Sequence, residues 1–244
     1  MDANRAIHAK PNDRQNIVRL MTWLSPSFPV GAYSYSHGIE YAVEAGLIVD
    51  RLTLVAWVAH LMWFGAGRSD AAILRATYEA VTSDDEDTFT DIAGWADAYR
   101  PTPELALESN AQGEAFLTTV DAAWPAIDLA PWRTALVAAD RPTAYPVAVG
   151  AAAALARIPM PMALSAYLHG FAANLVSAAV RLIPLGQTDG QRVMAELEET
   201  VLAVADVIAR KGRVTLPDDL GAAAPMADWA SMKHETQYTR LFRS

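Results

Sequence analysis

Apolar residues along this 244-residue chain recur at the spacing of α-helices, and no stretch keeps the strict alternation of a half-buried strand. The pattern predicts nine helical segments, and the acidic stretch 83–91 is typical of a loop that leads into a helix N-terminus. The predicted segments are 17–24, 33–45, 51–65, 69–81, 102–120, 130–140, 144–157, 161–182 and 190–210. The sequence therefore predicts an all-α fold, a single-domain helical bundle of about ten helices.

The limits of the domain follow from composition along the chain. Residues 1–15 are mostly polar and predict a flexible N-terminus, while 16–232 carry the helical pattern. Neither an internal repeat nor a long linker divides this region. Residues 233–244 follow a stretch rich in Pro, Gly and Asp, so we expect them to form a separate tail.

Composition excludes several classes of function. The chain has no cysteine, which removes thiolate catalysis, Cys-ligated metals and disulfides, and fits a reducing compartment. Its 19 basic and 28 acidic residues give a net charge of −9, which argues against a nucleic-acid partner. Residues 160–180 carry no formal charge and are long enough to span a bilayer. Their Pro, His, Asn and Ala content favours instead a helix buried on nearly all sides of a cytoplasmic protein, without a membrane partner.

The chain shows no motif for common catalytic chemistry. It lacks the Gly-rich phosphate loop, the GxSxG elbow and the HExxH zinc motif. His37, Glu40 and Glu44 have the i, i+3, i+7 spacing that places three side chains on one face of a helix. Such a face could hold a metal, or it could be a polar surface or a partner-binding surface. We expect neither a metal nor a cofactor.

Three segments differ from ordinary helix-and-loop sequence. The first, 25–40, is dense in Gly, Pro and aromatic hydroxyls. The second, 179–190, ends an uncharged helix with Arg181 and then turns through Pro and Gly. The third, 231–244, interleaves aromatic and aliphatic residues with arginines, a combination typical of interface segments that order on binding.

Together these segments resemble the urease accessory protein UreF family. The family pattern SPxxPxG followed by YSxSxGxE matches Ser25-Pro26, Pro29, Gly31, Tyr33-Ser34, Ser36, Gly38 and Glu40. Residues 174–191 and 234–244 resemble two further signatures of the family. The resemblance covers 16–244, although only helical character supports it over 83–140.

The resemblance implies a non-enzymatic scaffold or chaperone. Such a protein dimerises and joins UreD (also called UreH) and the GTPase UreG, for GTP-dependent insertion of nickel into apo-urease. The residues that we expect to bind partners are Tyr33, Ser36, His37, Glu40, Glu44, Arg181, Gln187, Tyr238, Arg240, Leu241, Phe242 and Arg243.

Two alternatives remain open from the sequence. The protein could regulate the GTPase activity of UreG directly, through an exposed arginine such as Arg181 or those of the tail. It could also be a helical metal-dependent enzyme built on His37, Glu40 and Glu44. For the tail, we expect a UreD-like partner, rather than a groove on its own domain, to cover Tyr238, Leu241 and Phe242, because an eleven-residue segment cannot bury them alone.

Overall fold

The computed structural model describes residues 13–212 and 214–244, which form eleven α-helices and one short 3₁₀ helix, without a strand. The all-α, single-domain fold is therefore confirmed. The 3₁₀ helix spans Ala32–Ser34. The α-helices are α1 Asp13–Trp23, α2 Ile39–Glu44, α3 Arg51–Phe64, α4 Ala66–Thr82, α5 Glu86–Ala98, α6 Pro103–Ala123, α7 Ala130–Ala138, α8 Tyr145–Leu155, α9 Met160–Leu182, α10 Gln187–Arg210 and α11 Pro225–His234.

The predicted N-caps lie where the sequence places them. The Asp50 carboxylate accepts the Thr53 N–H at 2.9 Å and begins α3. Thr102 Oγ1 accepts the Leu105 N–H at 3.3 Å, with Pro103 as the first residue of α6. Both caps satisfy backbone donors that have no partner inside their own helix.

The predicted helix 33–45 is wrong over its first half. After the 3₁₀ turn, His37 and Gly38 adopt positive φ angles of 56° and 78°, and α2 begins only at Ile39. A Cβ atom on Gly38 would lie 3.0 Å from the Ser231 backbone nitrogen, so the break also lets the chain pass closely over α11.

Two further expectations about boundaries need correction. Residues 1–12 lie outside the described residues, and 13–15 form the first turn of α1, so the predicted N-terminal segment overlaps a helix. Helix α11 was not predicted, because the Pro225 that begins it was read as part of a loop. It ends at His234 and so crosses the expected boundary between the domain and the tail.

Helix α8 is the centre of the bundle. It is almost wholly buried, and it packs against α4 and α6. Gly150 and Gly113 make this close packing possible, because a Cβ at either position would meet a backbone carbonyl of the neighbouring segment. The distances from such a Cβ would be 2.7 Å to the Leu74 oxygen and 1.9 Å to the Thr143 oxygen.

Helix α9 carries the uncharged stretch. Within the described residues it is the one helix long and apolar enough to cross a membrane, and half of its apolar window is buried in the protein. It packs against α2, α3, α4, α8 and α10. The expectation of burial on nearly all sides is too strong, since Pro161, His169 and Ser177 are exposed.

We predict that Gly113→Ala lowers the free energy of unfolding by about 2 kcal/mol or more. Overpacking of roughly 3 kcal/mol against a rigid backbone outweighs a helix-propensity gain of about 1 kcal/mol. Gly212→Ala is the control, because no heavy atom lies within 4 Å of its Cβ position. Urea denaturation measures both variants, and equal midpoints would contradict this account of the α6–α8 contact.

Candidate functional site

The tail (residues 233–244) lies against its own domain. The Arg243 N–H donates to the Ser34 carbonyl at 2.9 Å, and the Ser36 N–H donates to the Ser244 carbonyl oxygen at 2.9 Å. Ser36 Oγ also donates to that Ser244 oxygen. The last residues of the chain are therefore hydrogen-bonded to segment 33–36.

The exposure of the tail's apolar side chains is uneven. Phe242 is buried, with 4% of its surface accessible, whereas Tyr238 and Leu241 are exposed at 103% and 66%. The expectation that the domain offers no groove to the tail is therefore wrong for Phe242. It stays a prediction that a partner covers Tyr238 and Leu241.

Glu40 binds the backbone of the tail. Its two carboxylate oxygens accept the N–H groups of Leu241 at 2.6 Å and Phe242 at 2.9 Å. The residue is 7% exposed and belongs to the first turn of α2, where the helix dipole favours a carboxylate. Glu40 therefore holds the tail in place through contacts within its own chain.

His234, at the end of α11, connects Glu40 to a second carboxylate. Its Nε2 lies 3.2 Å from Glu40 Oε2, and its Nδ1 lies 2.7 Å from Glu104 Oε2. The other oxygen of Glu104 lies 2.5 Å from Arg240 Nη1. The histidine is fully buried. Glu40, Glu104, His234 and Arg240 thus form one polar cluster, which connects the ends of α2, α6 and α11 to the tail.

Arg181, in the last turn of α9, fixes the other side of the tail. Its Nη1 donates to the Tyr33 carbonyl at 2.9 Å. The guanidinium carbon lies 3.8 Å from the Tyr33 ring centroid and 4.4 Å from that of Phe242. A cation held between two aromatic rings stabilises both of them, and Arg181 thereby joins segment 33–36 to the tail.

Among the remaining predicted residues, His37 and Glu44 contact the tail and Arg243 belongs to it, whereas Gln187 does neither. His37 donates its backbone N–H to Ser244 Oγ at 3.3 Å, and Glu44 accepts a hydrogen bond from the Gln237 side chain. Arg243 lies with its guanidinium carbon 5.8 Å from the Tyr35 ring centroid. Gln187 is exposed at the start of α10, and none of the hydrogen bonds of the described tail involves it.

The proposed helical face of His37, Glu40 and Glu44 does not form. His37 precedes α2, and its Nδ1 lies 3.7 Å from Glu108 Oε2, whereas the two glutamates bind the tail. Over residues 13–212 and 214–244, no group of three or more His, Asp or Glu side chains is arranged to hold a metal ion.

A pocket of about 120 Å³ with a mostly apolar lining lies beside Tyr33 and His37. Arg100 and Asp70 form a buried ion pair at 2.8 Å in its wall, and the Tyr167 hydroxyl donates to Asp70 at 2.8 Å. Burial, and then the Asp70 charge, raise the pKa of Tyr167 well above its usual range. Tyr167 therefore stays a neutral donor, and the cavity has room for several waters.

Three residues that hold the tail in place were not identified from the sequence. Glu104 lies within the predicted helix 102–120 and His234 within the predicted tail 233–244, and neither was assigned a role. Glu108, which accepts the Ser244 hydroxyl at 2.6 Å, was not singled out. Their partners lie more than 100 positions away in the chain, so no local spacing could identify them.

We predict that Glu40→Ala releases the tail. Hydrogen bonds to a charged group contribute about 1.5–3 kcal/mol, so trypsin should cleave at Arg240 at least about tenfold faster. Because Glu40 is buried and hydrogen-bonded, we also expect this variant to lower the melting temperature. Glu114→Ala, an exposed glutamate of α6, is the control. Cleavage at the parent rate would show that Glu40 does not hold the tail.

Comparison with known proteins agrees with the sequence motifs. The family model UreF matches residues 48–198. A protein of Bradyrhizobium diazoefficiens (strain USDA 110), named urease accessory protein UreF, is 51% identical over 229 residues, 93% of this chain and 91% of the relative. Proteins of the same name from Rhodopseudomonas palustris (strain BisB5) and Magnetococcus marinus are 48% and 45% identical, covering 94% and 93% of this chain and 91% and 97% of the relatives. The chain belongs to the UreF family of urease accessory proteins.

Proposed function

We propose that this protein is a non-enzymatic scaffold that joins a UreD (UreH) protein and the GTPase UreG for GTP-dependent nickel insertion into apo-urease. One observation carries the proposal: hydrogen bonds within the chain hold the tail against segment 33–36, while large side chains of both remain exposed. Tyr33, Tyr238 and Leu241 are 69%, 103% and 66% exposed.

The chemistry of this surface supports a protein partner. Exposed aromatic residues beside arginines are the side chains that most often contribute binding energy at interfaces. The backbone under them is held by Glu40 and Arg181, so little conformational entropy is lost when a partner binds. A preorganised surface of this kind is what a scaffold requires.

The proposal has three further parts: the oligomeric state, the location in the cell and the position of the nickel ion. We propose a homodimer, which the exposed apolar side chains Ile17, Val18 and Met21 of α1 favour. We propose the cytoplasm as its location, which the absence of cysteine in the sequence favours. We assign the nickel ion to the assembly as cargo and give it no ligand in this chain.

We predict that Tyr238→Ala and Leu241→Ala each leave the melting temperature within about 2 °C of the parent but weaken partner binding. Truncating a central interface residue costs about 2 kcal/mol, or roughly 30-fold in the dissociation constant. Val137→Ala, which removes an 81% exposed side chain of α7, is the control.

Titration of the purified chain with UreD and with UreG, each alone and then together, measures these constants. Reconstituted urease activation should fall in the same order as the affinities. Parent-like affinity for both partners in Tyr238→Ala and in Leu241→Ala would overturn the assignment of this surface.

A second function, direct regulation of the GTPase, is favoured by one observation. Arg243 is exposed while its backbone is fixed to Ser34, so its guanidinium could reach a partner's nucleotide. Arg181 is less suited, because two aromatic rings and a carbonyl already hold it.

Arg243→Lys distinguishes the two functions. An arginine that stabilises the transition state of GTP hydrolysis contributes about 10³-fold or more, and lysine does not replace it. The scaffold proposal predicts that this variant changes the GTP hydrolysis rate of bound UreG by less than about threefold, within the range of a small surface effect. A loss of more than about 100-fold with unchanged binding would instead establish the regulator.

A further inference from the structure

The pocket beside Tyr33 and His37 is large enough for one aromatic ring. Its volume is about 120 Å³, and an apolar cavity of about 150 Å³ holds one benzene molecule. The aromatic side chains of Tyr145, Tyr167 and Phe171 contribute to its mostly apolar wall. Aromatic rings pack favourably edge to face or offset against one another, so this wall favours an aromatic ligand.

Three polar groups of the wall have no hydrogen-bond partner within the described part of the chain. They are the Tyr145 hydroxyl, the side-chain amide of Asn174 and the Oε1 atom of Gln112. Burial raises the pKa of Tyr145, so its hydroxyl stays protonated and can both donate and accept. The pocket therefore offers hydrogen bonds to a ligand in addition to its apolar wall.

The charged side chains of the wall are already bound within the chain. Glu108 accepts hydrogen bonds from Gln112 at 3.3 Å and from the Ser244 hydroxyl at 2.6 Å. Asp70 forms an ion pair with Arg100 at 2.8 Å. An anion would meet two carboxylates here, and a cation would lose its hydration to reach carboxylates that already have partners. The pocket therefore favours a neutral ligand.

The pocket is open next to the surface that we propose for partner binding. Tyr33 and Ser177 of its lining are exposed. The carbonyl of Tyr33 is bound by Arg181, whose guanidinium also contacts the Phe242 ring of the tail. A protein that docks on the tail and segment 33–36 therefore lies beside the opening of the pocket.

We propose that this pocket binds the side chain of a tyrosine of the partner protein that docks on the tail. A tyrosine combines one ring, which fills the apolar space, with one neutral hydroxyl, which pairs with the unpaired polar groups of the wall. Aromatic side chains buried in pockets contribute much of the binding energy of protein interfaces. The inference deepens the proposed function and rests on it for the partner, but not for the binding of the ring.

Binding of 4-methylphenol, which is the tyrosine side chain as a free molecule, tests the pocket in the isolated full-length chain. Toluene lacks the hydroxyl, and butylguanidinium represents an arginine side chain. We expect nuclear magnetic resonance titration to give 4-methylphenol at least about threefold higher affinity than toluene, the contribution of one net hydrogen bond. Butylguanidinium should bind more weakly than both.

Tyr145→Phe tests the role of the unpaired hydroxyl without changing the shape of the wall. This variant should bind toluene as the parent does and lose most of the preference for 4-methylphenol. Tyr41→Phe is the control, because the Tyr41 side chain lies outside the pocket and packs against Trp229. It should keep the preference of the parent.

Ala173→Leu tests the pocket in the presence of the partner. Ala173 is half-buried in α9 and lines the pocket, so a larger side chain fills part of the space. We expect loss of 4-methylphenol binding and at least about tenfold weaker binding of UreD, as for the loss of a central interface contact. Ala195→Leu, at an exposed position of α10, is the control.

Four results would overturn the inference. They are equal affinity of the parent for 4-methylphenol and toluene, tighter binding of butylguanidinium, an unchanged preference in Tyr145→Phe, and UreD binding that Ala173→Leu leaves as in the parent. Failure of the scaffold proposal is a different result. In that case the parent chain binds neither UreD nor UreG, whereas 4-methylphenol still binds in preference to toluene.

Discussion

The carboxylate of Glu40 is the contact on which the arrangement of the tail depends. It accepts two consecutive backbone amides, Leu241 and Phe242, in a buried position at the start of α2. Paired and hydrogen-bonded buried carboxylates are retained in folded proteins, whereas an unpaired one is strongly unfavourable. Once these amides are bound, Phe242 reaches Arg181, and the exposed side chains on either side of it are presented in one orientation.

The helical core explains why these groups can meet. Helix α8 packs against α4 and α6 through glycine contacts that allow backbones to approach closely. That packing fixes α6, whose first turn carries Glu104 and whose second carries Glu108. The tail is bound at the ends of rigid helices, where an interaction surface is positioned more accurately than on a free loop. Core packing thereby determines where the tail is held.

The sequence predicted what is encoded locally. Helical spacing and the caps Asp50 and Thr102 predicted the all-α bundle, and the three motifs predicted membership of the UreF family. The left-handed residues His37 and Gly38, which separate the 3₁₀ turn from α2, were missed because helical spacing of polar residues continues across them. The tail's position was missed because it depends on contacts such as Glu40 with Leu241, which lie 201 positions apart. Periodicity carries no information about such pairs.

The central claim is that the tail is docked on its own domain before any partner binds. Because the chain has no cysteine, single cysteines at the exposed positions Thr239 and Ala45 can be spin-labelled without background. Labelled chains are diluted in excess unlabelled protein, so that double electron–electron resonance measures the distance between the tail and the end of α2 within one chain. The account predicts one narrow distance distribution, which broadens on adding Glu40→Ala. A broad distribution in the parent, unchanged by that substitution, would contradict it.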